Sequence, residues 1–132
     1  MIALDTNILV RYLVGDDEKQ AEVARTLLES FTIDQPGFVC REVVVELVWV
    51  LERSYQCSRD RIATVLEQLA TTEGLIVEAG NDVIRAASRY RSGVAGFSDL
   101  MILAAAQRLQ AHLLYTFDRR AARLEGVELL QD

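Results

Sequence analysis

The sequence predicts an α/β fold in which a parallel central sheet is flanked by helices on both faces, in three layers α/β/α. Short apolar runs alternate along the chain with segments of helical spacing, roughly 10 to 15 residues each, as in parallel sheets that are covered on both faces. Hydrophobic residues make up 51% of the 132 residues, enough for a core without disulfide bonds. Because no repeat, linker or low-complexity segment interrupts the chain, we expect residues 1–132 to form a single domain.

The first strand is predicted within residues 1–7, where an apolar run ends abruptly in three polar residues. We expect this strand to be buried and to point Asp5 into the crevice beyond the carboxyl ends of the strands, where open parallel sheets bind ligands. Alternatively, Asp5 or Thr6 caps a helix that begins at Asn7, because short polar side chains accept hydrogen bonds from the first free amides. Apolar residues at helical spacing predict that this helix ends at Gly15.

A second helix is predicted to begin in the acidic cluster at residues 16–18, because negative charge stabilises the N-terminal end of a helix. A break at Pro36 and Gly37 follows, and then a short strand at residues 38–40. Residues 42–55 form a long apolar segment whose valines favour a strand and whose length favours a helix. Periodicity alone leaves both possibilities open.

In the second half of the chain, polar residues mark the predicted starts of three helices. Ser58 is predicted to cap a helix that Gly74 ends. Asn81 is predicted to cap the next helix, and Ser98 a third one that continues to about residue 111. Three apolar runs that are too short for helices are predicted as strands: residues 75–77, 113–116 and 127–130.

The net charge of −6 argues against a nucleic-acid partner, which normally calls for a basic surface. The distribution of charge changes this interpretation. Residues 1–78 carry 7 basic and 14 acidic side chains, whereas residues 79–124 carry 7 arginines and 3 aspartates. Because the planar guanidinium group suits phosphates and base edges, the second segment is compatible with nucleic-acid contacts. Each arginine taken alone is equally compatible with a solvated helix face.

The sequence shows no membrane span or export signal. No apolar run approaches the roughly 20 residues of a membrane helix, and the N-terminus lacks the basic region and apolar core of a signal peptide. We therefore expect a cytoplasmic protein with no membrane partner. Cys40 and Cys57 lack the spacing of a metal site and are expected to be reduced.

Glu46 stands in the middle of the apolar segment at residues 42–55. If this segment is a helix, it is apolar nearly all round and is therefore predicted to be buried together with Glu46. An ionised carboxylate left unpaired in the interior costs several kcal/mol. We therefore expect Glu46 to face a metal ion, a polar crevice or an arginine.

Asp99 and Asp118 extend the set of candidate carboxylates, although each is also explained individually as a cap or turn residue. Asp5 and Asp118 each follow a predicted strand, and Asp99 opens the helix before the strand at residues 113–116. The three are therefore predicted to converge at one edge of the sheet. Carboxylates grouped without histidine, cysteine or lysine favour Mg²⁺ or Mn²⁺ over zinc. Such ions support phosphodiester hydrolysis.

Four short motifs follow one another along the chain: LDTN at residues 4–7, VVVELVWVL at 43–51, FSDLMILAAA at 97–106 and TFDRR at 116–120. Together they resemble the PIN-domain ribonucleases, specifically the VapC-type toxins of toxin–antitoxin pairs. The resemblance implies a PIN-like fold, a helix at residues 42–55 and a Mg²⁺-dependent endoribonuclease, with Mn²⁺ as a substitute ion. It also implies a homodimer that a cognate antitoxin neutralises. We expect the antitoxin to cover apolar surface on the helices at residues 8–13 and 43–51.

The resemblance also assigns the site. It implies that four carboxylates form the catalytic and metal-binding set: Asp5, Glu46, Asp99 and Asp118. Thr6, Asn7 and Ser98 are expected to support them. The candidates for RNA contacts are arginines of the positively charged segment: Arg85, Arg89, Arg119, Arg120 and Arg123.

One position departs from the pattern of the family. Many relatives carry a further aspartate three residues before Asp99, where this chain has Gly96. A second metal ion is therefore expected to be weakly held or absent. Glu42, one helical turn before Glu46, is either a substitute ligand or a solvated acid at a helix start.

Other classes of protein also combine a small α/β fold with an acidic pocket. A response-regulator receiver domain needs a late lysine, but the only lysine here is Lys19. A haloacid-dehalogenase-like phosphatase needs a second aspartate two positions after the first, where Asn7 stands. The alternative that remains is a non-catalytic PIN-fold RNA-binding or adaptor protein, which would have little reason to keep four carboxylates.

Overall fold

The structure is a computed structural model and describes residues 1–131, in which five short strands alternate with six α-helices. The strands are β1 (Ile2–Ala3), β2 (Gly37–Val39), β3 (Leu75–Val77), β4 (Leu114–Thr116) and β5 (Val127–Leu129). The helices are α1 (Thr6–Val14), α2 (Glu18–Glu29), α3 (Arg41–Arg53), α4 (Arg59–Thr71), α5 (Gly80–Arg91) and α6 (Phe97–Arg108). A single 3₁₀ turn, Ala121–Arg123, lies between β4 and β5.

All strand pairs are parallel, as the sequence predicts. β1, β2 and β3 form a sheet in that order, with Ala3 opposite Phe38 and Phe38 opposite Ile76. β4 and β5 form a separate two-stranded sheet, with Tyr115 opposite Glu128. The three-stranded parallel sheet is flanked by helices, so the predicted three-layer α/β/α class is confirmed.

The first strand differs from its prediction. β1 has two residues instead of most of residues 1–7, and both are exposed, with Ile2 at 54%. The prediction of a buried strand is wrong because β1 is the edge strand of its sheet and pairs with β2 alone. Only the following residue, Leu4, enters the core.

The predicted cap at Asp5 is confirmed, as are the cap at Ser58 and the end of α1 at Gly15. The predicted caps at Asn81 and Ser98 are wrong, and α4 ends at Thr71, three residues before Gly74. The Ser58 hydroxyl accepts a hydrogen bond from Arg61 N at 3.2 Å, and Gly15 ends α1 in the left-handed conformation, with φ +71°. Asn81 and Ser98, by contrast, lie inside the first turns of α5 and α6. α6 begins at Phe97, before the predicted cap, because the Phe97 side chain is buried. Its ring packs edge-on against another aromatic ring of the core.

The ends of other elements follow from local chemistry. α2 begins after the acidic cluster, where Asp17 caps it by accepting a hydrogen bond from Gln20 N at 3.0 Å. α6 ends at Arg108, three residues before the predicted end, and Gln110 then adopts a left-handed φ of +62°. Within residues 1–131, no helix has the length and apolar character needed to cross a membrane.

Residues 42–55, which periodicity leaves open between strand and helix, form α3 and a short C-terminal extension. One face of α3 packs into the core through four buried apolar residues: Val44, Leu47, Val48 and Leu51. The core is completed by fully buried side chains from α1, α4, α5 and α6, among them Leu9, Ile62, Leu66, Tyr90 and Met101.

Arg59, at the start of α4, holds the segment that connects α5 to α6. Its guanidinium donates hydrogen bonds to the carbonyl oxygens of Tyr90 and Ala95, both at 2.9 Å, and lies 4.4 Å from the centre of the Tyr90 ring. The Tyr90 hydroxyl donates to Glu52 at 2.5 Å. Burial, followed by this hydrogen bond to Glu52, raises the pKa of Tyr90. Arg59 therefore fixes the backbone that leads into α6.

Replacing Arg59 by alanine is expected to lower the free energy of unfolding by about 2 kcal/mol, because it leaves the carbonyl group of the fully buried Ala95 without its hydrogen-bond partner. Urea unfolding measures this change. The exposed Arg61 provides the control, and Arg61→Ala is expected to change stability little. Equal losses in the two variants would contradict the role of Arg59.

Candidate active site

The first part of the site joins the start of α1 to the middle of α3. Asp5 is the N-cap of α1, and its Oδ1 accepts a hydrogen bond from Thr6 N at 2.7 Å. Thr6 is buried, at 5% exposure, and its hydroxyl donates a hydrogen bond to Glu46 Oε1. Thr6 therefore holds the Glu46 carboxylate beside the helix that Asp5 caps.

The structure corrects the predicted burial of Glu46. Its side chain is exposed, because α3 is apolar on one face only. The exposed stripe of α3 carries four residues at helical spacing: Glu42, Glu46, Trp49 and Arg53. The charge of Glu46 is therefore solvated as well as bound by Thr6, and it needs no buried counter-charge.

The second part of the site pairs Asp99, in the first turn of α6, with Asp118, which follows β4. Asp118 Oδ1 accepts hydrogen bonds from the backbone N–H groups of Arg120 at 2.8 Å and Ala121 at 2.9 Å. The backbone N–H of Asp118 donates to the Thr116 hydroxyl at 3.0 Å. This turn fixes the Asp118 carboxylate by local bonds alone.

The Asp99 and Asp118 carboxylates interact electrostatically. Burial raises the pKa of Asp99 above its usual value, the negative charge of Asp118 raises it further, and Arg120 opposes both effects. The Arg120 guanidinium is held in place by a hydrogen bond to the Gly93 carbonyl at 2.7 Å. A cation between Asp99 and Asp118 would relieve their repulsion.

A cleft of about 560 Å³ between α3 and α6 lies next to both parts of the site. It is lined by Glu46 from the first part and by Ser98, the neighbour of Asp99. Within residues 1–131, however, no three His, Cys, Asp or Glu side chains lie close enough together to hold a metal ion. The donors are all carboxylate and hydroxyl oxygens, so by chemistry they fit a hard divalent cation such as Mg²⁺.

The predicted supporting residues are placed differently from one another. Thr6 contacts Glu46, and Ser98 is exposed in the cleft. Asn7 is also exposed but lines a separate groove between α1 and α2. The structure thus brings Thr6 and Ser98 to the candidate site, whereas Asn7 faces elsewhere.

The predicted RNA-contacting arginines also lie in different parts of the fold. Arg119, Arg120 and Arg123 lie in the exposed segment after β4, and Arg89 is exposed on α5. Arg85 instead forms an ion pair with Asp82 at 2.8 Å, beside a different cleft. Three of the five therefore follow the strand that leads to Asp118.

Asp82 and Arg108 form a buried contact between α5 and α6 for which the sequence gives no signal. Asp82 is 7% exposed, and Arg108 NH2 lies 2.5 Å from its Oδ2. Burial alone would raise the pKa of Asp82, but hydrogen bonds from Arg108 and Arg85 outweigh burial and lower the pKa. This contact supports the helix that carries Asp99.

Arg41 is the other residue near the site that sequence reasoning misses. Its guanidinium donates to the Met101 carbonyl at 3.1 Å and lines the cleft beside Glu46. Its backbone N–H donates to Glu78 at 2.9 Å. Because both bonds join positions far apart in the chain, no local pattern marks Arg41.

Gly96 lies directly beside the Asp99 carboxylate. A Cβ atom at this position would lie 3.2 Å from Asp99 Oδ2, and φ of −69° with ψ of 153° is open to any residue. Gly96→Asp is therefore expected to add a third carboxylate and to tighten Mg²⁺ binding about tenfold, as added ligand charge does. Calorimetric titration measures the affinity. Gly96→Asn is the uncharged control, and equal affinities in the two variants would contradict the expectation.

Comparison with known proteins identifies the family of the chain. The family model described as PIN domain matches residues 2–127. The chain is 29% identical over 124 residues to the VapC ribonuclease of Aquifex aeolicus (strain VF5), a match that covers 94% of this chain and 92% of that protein. No solved structure matches the chain significantly. Because the family model spans nearly the whole sequence, this chain belongs to the PIN domain family.

Proposed function

We propose that this protein is a Mg²⁺-dependent endoribonuclease and the toxin of a toxin–antitoxin pair, with Mn²⁺ as a substitute ion. The observation that carries the proposal is the placement of Asp99 in the first turn of α6 and of Asp118 in the turn that follows β4, where the two negative charges repel each other. Membership of the PIN domain family and the likeness to a VapC ribonuclease support the same activity.

In this proposal Asp5, Glu46, Asp99 and Asp118, no three of which lie close enough together in the structure to form a metal site, would hold the metal ion, which would polarise the phosphoryl oxygen and promote ionisation of water. The residues of the chain orient these ligands. The Thr6 hydroxyl fixes the Glu46 carboxylate, and two backbone N–H groups after Asp118 fix its Oδ1. The exposed arginines beside Asp118 would bind the phosphates of the RNA strand.

Cleavage of a mixed RNA pool tests this function. With Mg²⁺ the protein is expected to cut RNA at a small number of sites, which sequencing of the new ends identifies, and EDTA is expected to stop cleavage. Asp118→Asn, purified in the same way, is the control for contaminating nucleases. Cleavage that persists in EDTA, or equal cleavage by the variant, would contradict the proposal.

Substrate binding is proposed to depend on Arg119 and Arg120, which are exposed beside Asp118. Replacing both by alanine is expected to weaken RNA binding and to reduce the slope of log K against log salt by about 0.7 for each lost phosphate contact. Binding isotherms at several salt concentrations measure the slope. The control variant replaces Arg25 and Arg61, two exposed arginines of residues 1–78, by alanine, which makes the same change in net charge. An unchanged slope in the Arg119 and Arg120 variant would contradict the assignment.

The proposed protein partners are a second copy of the chain and a cognate antitoxin, and the proposed location is the cytoplasm. A groove of about 460 Å³ between α1 and α2 offers the antitoxin an apolar surface, in which Ile8 lies beside the 71%-exposed Val23. At the second expected surface, residues 43–51, four of the eight apolar side chains are buried in the core and are not available to a partner.

Purification of the complex from the native locus tests the antitoxin. A small second protein is expected to accompany this chain, and overexpression of this chain alone is expected to stop growth. Recovery of this chain alone, active on RNA and harmless when overexpressed, would contradict the toxin role while leaving the nuclease activity in place.

A further inference from the structure

Two aromatic side chains are exposed on the part of the chain that leads to Asp118. We propose that Tyr115 and Phe117 form a platform on which unpaired bases of the RNA stack, and that Phe117 holds the base next to the phosphate that is cut. The inference rests on the proposed function and deepens it, because it names the residues that would position the bases of the substrate.

The first observation is the exposure of both rings. Phe117 is 66% exposed, whereas the other three phenylalanines of the chain are buried or half-buried. Tyr115 is 57% exposed. Burial alternates along residues 114–117, with half-buried side chains at 114 and 116, so Tyr115 and Phe117 face the same, outward side. Each ring can therefore receive a base, as exposed aromatic side chains on the sheets of other RNA-binding domains do.

The second observation is that the backbone on both sides of Phe117 is fixed. The Thr116 carbonyl accepts a hydrogen bond from Leu130 N at 2.7 Å, and the Thr116 hydroxyl accepts one from Asp118 N at 3.0 Å. Asp118 is fixed in turn by the two backbone N–H groups that bind its Oδ1. Most of the Phe117 ring is nevertheless open to solvent. A ring that is held in this way loses little conformational freedom when a base stacks on it.

The third observation is the position of the platform relative to the candidate site. Phe117 is the immediate neighbour of Asp118, and consecutive Cα atoms lie about 3.8 Å apart. A base on Phe117 would therefore belong to a nucleotide beside the phosphate that the carboxylates bind. Tyr115 lies further back along β4 and would hold the next base along the strand.

The charges around the platform favour RNA over an apolar segment of a partner protein. Arg119 and Arg120 follow Phe117 within three positions and are exposed. An arginine in this position can bind the phosphate of a nucleotide whose base stacks on the ring, whereas an apolar segment would gain nothing from the charge. Tyr115 instead has an acid opposite it on β5, Glu128. The base on Phe117 is therefore expected to be bound more tightly than the base on Tyr115.

Binding of an end-labelled octamer of adenosine, measured in EDTA, tests the platform without cleavage. Phe117→Ala is expected to weaken binding about tenfold, as the loss of one stacked base does. Phe117→Trp, which keeps a ring, should bind at least as tightly as the wild type. Phe117→Leu keeps an apolar side chain without a ring and should resemble Phe117→Ala. Ile33→Ala is the control, because Ile33 is 70% exposed outside the candidate site.

Salt dependence and a duplex distinguish stacking from other effects of the substitution. Phe117→Ala is expected to leave the slope of log K against log salt unchanged, because no phosphate contact is lost. It should also bind a stable RNA duplex as the wild type does, since paired bases cannot reach a ring. Tyr115→Ala should show the same pattern with a smaller loss. Thermal melts verify that each variant folds.

The inference would be overturned if the wild-type protein did not bind the octamer, or if Phe117→Ala bound it normally. Normal binding by Phe117→Leu would also overturn it and would make Phe117 an apolar contact for a protein. An equal loss of duplex binding in Phe117→Ala would indicate a structural effect and would contradict stacking. Because binding is measured without metal, a failure to cleave RNA would contradict the proposed function and leave this test intact.

Discussion

Asp5→Asn is expected to lower Mg²⁺-dependent RNA cleavage by about a thousandfold or more, which corresponds to about 4 kcal/mol of transition-state stabilisation. An amide oxygen is a poorer ligand than a carboxylate and does not neutralise the charge of the ion. The fold should survive, because asparagine caps helices about as well as aspartate and can still accept the hydrogen bond from Thr6 N. The loss therefore reports the charge of Asp5 and not its role as a cap.

A matched variant distinguishes the loss of the charge of Asp5 from the loss of a helix cap. Asp17 caps α2 through its own side chain, as Asp5 caps α1, so Asp17→Asn changes a helix cap away from the candidate site. Single-turnover rates are expected to be normal in Asp17→Asn and nearly zero in Asp5→Asn. Near-normal turnover in Asp5→Asn would remove this residue from the site.

The other carboxylates are expected to act as a unit with Asp5. Glu46→Gln, Asp99→Asn and Asp118→Asn should each be severe, and a double variant should lose little more than the worse single one, because residues that share one function are not additive. Additive losses would indicate that the two parts of the site work independently.

Asp99→Asn is expected to melt a few degrees higher than the wild type in EDTA while losing RNA cleavage. Burial and the charge of Asp118 raise the pKa of Asp99 in the folded protein, so the folded state binds more protons than the unfolded chain. Without metal, the contribution of Asp99 to stability is therefore fully present below the unfolded pKa of about 4 and is lost as the pH rises through the folded pKa. Removal of the charge removes this loss.

Mg²⁺ is expected to reverse the order of the two melting temperatures, so that the wild-type protein melts higher than Asp99→Asn. The wild-type protein should gain about 2.7 kcal/mol at a hundred times the dissociation constant, and Asp99→Asn should gain less. Asp60 is also an acid in a first helical turn, but it forms an ion pair with Arg91 at 3.0 Å, so Asp60→Asn should melt slightly lower with or without Mg²⁺. If Asp99→Asn behaves like Asp60→Asn, Asp99 is only a residue that stabilises its helix.

Structural features that depend only on residues close together in the sequence could be predicted. Gly15 ends α1 and Ser58 caps α4 because each acts within one turn of itself, and β3 occupies the predicted residues 75–77. Asp99 and Asp118 could be proposed as candidates for a related reason, since each stands at the start of a helix or the end of a strand.

Features that packing decides could not be predicted. The exposure of Glu46 depends on which face of α3 meets the core, and its hydrogen bond from Thr6 joins residues 40 positions apart. The edge position of β1 and the separate pairing of β4 with β5 depend on the order of strands, which no local pattern determines. The resemblance to PIN-domain ribonucleases implies which carboxylates belong to the site but not how they are arranged.

The most direct measurement is a crystal structure of the protein grown with Mn²⁺, with the ion located by its anomalous scattering. If the four carboxylates form one site, an ion should lie within coordination distance of oxygens from both parts, that is, from Asp5 or Glu46 and from Asp99 or Asp118. An ion that contacts only one part, or no bound ion at saturating Mn²⁺, would contradict a single site.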